Sequence, residues 1–310
     1  MSSPPSSTKP RPGKRPSATQ QSSKQLSTDP LSSSNTPTDP SLPVRFIRRS
    51  RLAATKFYQV FGIGLMFAIF GVGSVILSAF VLPIFNLGKH DDAKELRAQA
   101  AIQWVFAIFL KVASGVGVIS VEYQSLAKLE DGPCLVLANH PTILDVVLLG
   151  ALLPQCDCVV KGDAWNNFFL RGIVTAAGYI INSDGPGLVR ECSNRLRAGR
   201  SVLLFPEGTR SPESGLQPFA RGASRIAIES GCPIQPITIQ CTPPALMKGQ
   251  SLLDLPPERL CFVVEVNGAV YAKDLVDSKT PPGVAARRLN DRLRAHFATQ
   301  LGYGSGDDIA

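Results

Sequence analysis

An α/β fold is predicted, with a mixed, mostly parallel sheet flanked by helices and preceded by an N-terminal membrane-associated helical segment. Two features of the chain predict it. From Gly117 onward, seven short apolar runs alternate with helical stretches, the order expected when strands feed helices that cover the faces of a sheet. Ahead of them, residues 57–88 hold no charged side chain, a stretch long enough to meet a bilayer.

The first 43 residues are a Ser/Pro/Thr/Gln tract with almost no large apolar side chains. Such a segment cannot bury enough surface to offset its ordering entropy, so it reads as disordered. Residues 1–56 hold ten basic and two acidic residues, a surplus of eight that equals the +8 of the whole chain. The remainder is neutral. The charge therefore belongs to a tail and not to a basic groove, and no basic stripe with interleaved aromatics points to nucleic acid. Residues 1–52 are expected to form the disordered basic tail, 53–118 the membrane-embedded or interfacial helices and 119–310 the α/β domain.

As one straight helix, residues 57–88 would run roughly 48 Å against a ~30 Å hydrocarbon core. Pro83 and glycines 62, 64, 71 and 73 favour a kinked or re-entrant course. Arg45, Arg48, Arg49, Arg51 and Lys56 precede it and favour a cytoplasmic N-terminus. The polar lead is too long, and the apolar core too extended, for a cleaved signal peptide. After "KHDDAKELR", the uncharged Ala98–Leu110 suits an interfacial helix with Trp104 at headgroup level, or the second arm of a hairpin. One complete span would carry the rest of the chain outside, whereas two arms or a re-entrant loop would keep it in the cytoplasm.

The strand-like runs are "GVISVEY", "CLVLA", "CDCVVK", "GYIIN", "SVLLF", "IQPITIQ" and "CFVVEV". Helices are expected near 142–153, with Thr142 as a possible N-cap, and near 164–177, 187–199 and 221–230. At the C-terminus, Leu289, Leu293 and Phe297 share one helical face, a packing helix beside which His296 reads as a structural histidine. Seven cysteines, an odd number without a CxxC pair, read as small buried hydrophobes in a reducing compartment, Cys134, Cys156, Cys158, Cys241 and Cys261 among them. No metal-ligand spacing is present.

Chemistry collects where strands end and helices begin. In "ANHPTILDVVLLG" the polar trio Asn139, His140 and Asp145 interrupts an apolar run at such a place. Five residues of spacing can bring the carboxylate to one imidazole nitrogen and leave the other free to take a proton. Chance puts an Asp five places after one of three histidines ~10–15% of the time, so the pair gains meaning only with support. "SVLLFPEGTRS" supplies it. A strand runs into a turn carrying Glu207, Gly208, Thr209 and Arg210, where Gly208 permits close backbone approach and Arg210 offers a planar fork suited to phosphate. Alone, a Glu and an Arg after a strand are more often a surface ion pair.

Together, "NHPTILD" and "FPEGTRS" in this order resemble the glycerolipid acyltransferase family that includes 1-acyl-glycerol-3-phosphate acyltransferases. "GYIIN" is similar to its second block and "QPITI" to its fourth, so the resemblance covers residues 55–270. More narrowly, "NHPTILDVVLL", "CDCVVKGDAWNN" and "GYIINSD" resemble a bacterial subgroup associated with aryl polyene lipid synthesis. The resemblance implies that His140 is the general base toward the acceptor hydroxyl and that Asp145 orients its imidazole. It further implies that Gly208 and Arg210, with Thr209 in the same turn and Glu207 shaping it, lie at the acceptor phosphate. Lys161 matches a phosphate-contacting lysine of relatives, while an ordinary solvated strand end remains open for it. Many members close the second block with an Arg where this chain reads Asn182-Ser183-Asp184, which leaves the identity of the acceptor open.

The expected activity is O-acyl transfer from acyl-CoA or acyl-carrier protein, as co-substrate and without a cofactor, to the free hydroxyl of a lysophospholipid. The expected acceptor is 1-acyl-glycerol-3-phosphate, giving phosphatidic acid in phospholipid biosynthesis. Localisation is expected at an inner or plasma membrane, with the catalytic domain on the cytoplasmic face. The alternatives are a specialised acceptor such as an aryl polyene or amino-acid lipid, and a non-enzymatic lipid-binding protein. Intact His140 and Asp145 speak against the last, and no Gly-x-Ser-x-Gly elbow supports a hydrolase.

Overall fold

The computed structural model describes residues 42–76, 92–162, 167, 170–182, 185–277 and 279–303, with only the backbone of 42–53. The Ser/Pro-rich tract up to residue 41, Pro83, and Ser183-Asp184 lie outside the described residues. The sheet lies within the unit that begins at Phe46.

In chain order the strands are β1 (Ile119–Gln124), β2 (Leu135–Ala138), β3 (Cys156–Val160), β4 (Ile180–Ile181), β5 (Ser201–Leu204), β6 (Ile234–Thr242) and β7 (Leu260–Val266). They form a seven-stranded sheet in the order β1-β7-β6-β2-β5-β3-β4. Every pairing is parallel except β6 with β7, which is antiparallel. All four residues of β2 are buried, as expected of a central strand with both faces covered. The expected mixed, mostly parallel sheet is what forms, although "GYIIN" contributes only a two-residue strand.

Helices cover both faces. Ahead of the sheet run α1 (Leu42–Ile76) and α2 (Asp92–Val116), followed by α3 (Asp145–Leu152) and α4 (Arg171–Ala176). Then come α5 (Pro186–Arg197), α6 (Gly222–Ser230), the single turn α7 (Ala272–Leu275) and α8 (Pro282–Gln300). Alternation along each strand sorts the core into two layers. Val136 and Ala138 join Ile102, Phe106 and Leu148 on the side of α1, α2 and α3. Leu135 and Leu137 join Leu196 and Ile226 on the side of α5, α6 and α8, together with the expected stripe of Leu289, Leu293 and Phe297. One cysteine departs from expectation: Cys261 is exposed, because β7 turns alternate residues outward and Cys261 falls on the outward side.

The helices α1 and α2 are the two arms of an antiparallel pair. Tyr58 donates to the Val116 carbonyl, Gln59 donates to Val118 at 2.8 Å, and Phe70 meets Phe106 and Phe109 with ring centroids 5.9 and 5.4 Å apart. On α2, Ala98, Ile102, Phe106, Phe109, Leu110 and Ala113 are buried toward the sheet, while Trp104, Ile108, Val112 and Val116 are exposed. On α1, Phe57, Phe61, Leu65, Ile69, Val72 and Ile76 are exposed at three- and four-residue steps, a continuous apolar stripe.

At the sheet end away from the strand exits of β2 and β5, α2 is tied to the body by charge. Arg200 donates from Nη1 to Glu95 at 2.6 Å and from Nη2 to Asp157, and Arg195 donates to Glu95 at 2.8 Å. Gln99 adds a bond of 2.8 Å to Asp157. Gly178 makes room for this group: its φ is +62°, and a Cβ there would fall on the Glu95 carboxylate.

Candidate active site

Three neighbouring parallel strands deliver the site. At their carboxyl ends, β2 runs into His140, β5 into Glu207–Arg210, and β3 into Lys161. This is the end of an open α/β sheet where ligands are bound.

His140 and Asp145 meet as their spacing predicts, with Nδ1 and Oδ2 2.8 Å apart. Asp145 is completely buried and its carboxylate is filled with donors. The Thr142 N–H reaches Oδ2 at 2.7 Å and the Thr142 hydroxyl reaches Oδ1 at 2.6 Å. Burial pushes the Asp145 carboxyl up, while the hydrogen bond and charge of His140 and the two Thr142 donors pull it back down. The charged carboxylate therefore depends on its partners. This is where Thr142 departs from expectation. It is not the N-cap: α3 starts at Asp145 instead of near 142, and Thr142 lies in the turn ahead of it, where its oxygen accepts the Leu144 N–H at 3.2 Å while its O–H donates to Asp145.

The imidazole is 19% exposed and stacks on Phe205, with ring centroids 4.3 Å apart. Its Nε2 has no hydrogen-bond partner among the described residues. The backbone of His140 is clamped from the second segment. Its N–H donates to Glu207 Oε1 at 3.0 Å, and its carbonyl accepts from the Ser211 N–H at 2.7 Å. Glu207 is itself buried and also accepts from the Ser211 hydroxyl at 2.8 Å and the Gln217 N–H at 2.9 Å. Its carboxylate thus holds the two motif segments together. Asn139, the third polar residue of the trio, bonds both ways with the Ile239 backbone, at 2.8 and 2.7 Å, and locks β2 to β6.

Gly208 turns the chain at φ +63°, a conformation that any other residue adopts with strain. Thr209 and Arg210 follow, both half-buried. Arg210 Nη1 donates to the carbonyls of Leu246 and Met247 at 3.1 and 3.0 Å, leaving Nε and Nη2 without partners among the described residues. Lys161 leaves β3 with an exposed side chain, beyond β5 from His140. Sequence reasoning missed Phe205, Ser211 and the Thr142 clamp. The Phe before the Pro-Glu-Gly-Thr-Arg run and the Thr two places after His140 are visible signals once the two segments are known to touch.

The sequence model of the family described as Acyltransferase matches residues 120–240, which hold His140, Asp145, Lys161 and Glu207–Arg210 but not the 246–247 turn that Arg210 holds. Over 218 residues the chain is 26% identical to a 1-acyl-sn-glycerol-3-phosphate acyltransferase of Saccharomyces cerevisiae, covering 66% of this chain and 69% of that protein. A chloroplastic 1-acyl-sn-glycerol-3-phosphate acyltransferase of Brassica napus is 31% identical over 117 residues, 36% of this chain and only about a third (34%) of that protein's length. A 1-acyl-sn-glycerophosphate acyltransferase of Thermotoga maritima, known from its crystal structure, shares the fold with a TM-score of 0.58 at 20% identity, over 80% of this chain and 98% of that one. Through residues 120–240, which carry both motif blocks, this chain is similar to the Acyltransferase family and to these 1-acyl-sn-glycerol-3-phosphate acyltransferases.

Proposed function

We propose that the protein transfers a fatty acyl group from acyl-CoA or acyl-carrier protein to the free hydroxyl of 1-acyl-glycerol-3-phosphate, giving phosphatidic acid. The observation that carries this reading is the His140–Asp145 pair, with the second imidazole nitrogen free at the mouth of the sheet. His140 Nε2 takes the acceptor proton as the hydroxyl oxygen attacks the thioester carbonyl carbon. The tetrahedral intermediate then collapses, the carbon–sulfur bond breaks, and the same proton passes to the departing thiolate. Buried Asp145 stabilises the imidazolium formed between these steps. The thioester is already activated, so positioning and proton transfer are what the residues must supply.

Arg210, with Nε and Nη2 unpaired among the described residues, is the group suited to the acceptor phosphate, and Lys161 offers a second cation from the adjoining loop. Arg210→Ala is expected to raise the acceptor KM by the equivalent of about 2–4 kcal/mol with the donor KM unchanged. A change confined to the donor would move Arg210 to the thioester side. Because Nη1 also holds the 246–247 turn, a thermal melt run alongside separates lost binding from lost structure.

The two apolar helices associate the protein with a membrane, and their packing supports a particular arrangement. Segments Ala54–Ile76 and Asp92–Val116 are long and apolar enough to cross a bilayer. Yet α2 buries a whole face against the sheet, so lipid cannot surround it. We place the hairpin in one leaflet, exposed stripe inward, with the body and N-terminus on one face. That face is the cytoplasmic one, where CoA and carrier-protein thioesters reside and where the basic residues at 45–56 belong.

The test is to offer the purified full chain a panel of lysolipids with labelled acyl-CoA and labelled acyl-carrier protein. Labelled phosphatidic acid is the expected product. Thiol release without an acylated lipid, or acylation only of another headgroup, would overturn the assignment. The specialised-acceptor alternative rests on Ser183-Asp184, outside the described residues, and is decided by the same panel.

A further inference from the structure

We propose that the connection between β6 and β7 is a second membrane contact, in which Leu252 and Leu253 enter the lipid surface and hold the mouth of the site against it. The proposal rests on the reading above that the acceptor is a membrane lipid. Because β6 runs parallel to β2, its exit at Thr242 lies at the same end of the sheet as His140. The chain must cross that end before β7 begins at Leu260.

The crossing is fastened at both ends. Near its start, the Leu246 carbonyl accepts from the Ile143 N–H at 3.3 Å and from Arg210 at 3.1 Å, which ties it to both catalytic segments. Near its finish, Arg259 donates to the Ile119 and Ser114 carbonyls at 2.6 and 3.2 Å, at the C-terminal end of α2. The crossing thus bridges the site and the apolar hairpin. Between these anchors, Ser251 and Asp254 form a capping box, with bonds of 3.2 Å to the Leu253 N–H and 2.7 Å from the Ser251 N–H. That box fixes a tight turn whose tip carries Leu252, 37% exposed, and Leu253, 71% exposed.

A single exposed leucine needs no explanation. Two at the tip of a braced turn, where polar turn residues would cost nothing, do. Their neighbours indicate the occupant. Tyr58 bonds to Val116, so exposed Phe57 and Phe61 of α1 lie at this same end of the hairpin. Ile143, two residues before Asp145, is 49% exposed in the catalytic loop itself. Exposed apolar side chains from three separate segments thus lie toward one end of the sheet, the end at which the stripe along α1 begins. Exposed Lys248 adds a cation suited to anionic headgroups. A lipid surface satisfies all of these at once. With two anchors, the site faces the bilayer and the acceptor reaches His140 by lateral entry.

The experiment uses the full chain and vesicles of phosphatidylcholine and phosphatidylglycerol. With Leu252→Ser and Leu253→Ser combined, the apparent KM for long-chain lysophosphatidate held in the vesicles should rise about tenfold or more, while a short-chain, water-soluble acceptor is acylated as before. Equal loss on both acceptors, or no loss on either, overturns the contact. Independently, Leu253→Trp in a Trp104→Phe, Trp165→Phe background should be quenched by brominated lipid. If the protein cosediments with vesicles and that tryptophan is not quenched, the proposal fails. Should no acceptor be acylated by the parent protein, the proposed activity fails, and the quenching alone still decides the contact.

Discussion

His140→Ala will lose activity by about 10²–10⁴-fold while the protein keeps its fold. Loss of the base leaves the acceptor hydroxyl with nothing to receive its proton as it attacks. The fold survives because the segment is not held by the imidazole. Its backbone is fastened by Glu207 and Ser211, and the ring contributes only a stack on Phe205 and its bond to Asp145. Steady-state rates and a thermal melt on the same preparation check both halves. Retention of more than about a few per cent of activity would remove His140 from the catalytic role. Asp145→Asn should be nearly as severe, because an amide cannot stabilise an imidazolium as a carboxylate does. Its loss should appear in the turnover number and leave both KM values close to the parent's.

Arg200→Met is expected to cost about 3–5 kcal/mol of stability, a fall on the order of 10 °C in melting temperature. Arg200 lies between two buried carboxylates, Glu95 on α2 and Asp157 on β3, and its exposure is 7%. Methionine fills similar space and removes the fork, and the remaining cation, Arg195, reaches Glu95 at 2.8 Å but Asp157 only at 3.7 Å. Arg200→Lys should fall between the two, because a point charge cannot engage both carboxylates as a planar guanidinium does. An unchanged melting temperature in Arg200→Met would show that the group contributes nothing net to folding.

The seven strands are legible because each is a short apolar run bounded by turn residues, and a central strand such as Leu135–Ala138 has no exposed position to blur the pattern. The His140–Asp145 pair is legible because it is local. What sequence does not show is set by contacts across long separations. Glu207 lies 67 residues from the His140 N–H it accepts, and Arg200 lies 105 residues from Glu95. No periodicity records either. The start of α3 departs from expectation for a different reason, since the Thr142 N–H and hydroxyl donate to the Asp145 carboxylate and fix 142–144 as a turn ahead of the helix.

Gly178 sits in a stretch that resembles a family block, yet the space it leaves is filled by an acid from α2. The hairpin and the sheet it packs on are therefore not interchangeable parts. A hairpin borrowed from another chain would have to bring an acid in register with Gly178, Arg195 and Arg200, and a hairpin removed altogether would strand two arginines and Asp157 around an empty place. Exchange among relatives should succeed only when these positions travel together. Water-soluble versions of the enzyme are better sought by replacing the outward apolar stripe of α1 with polar residues than by cutting the chain before β1.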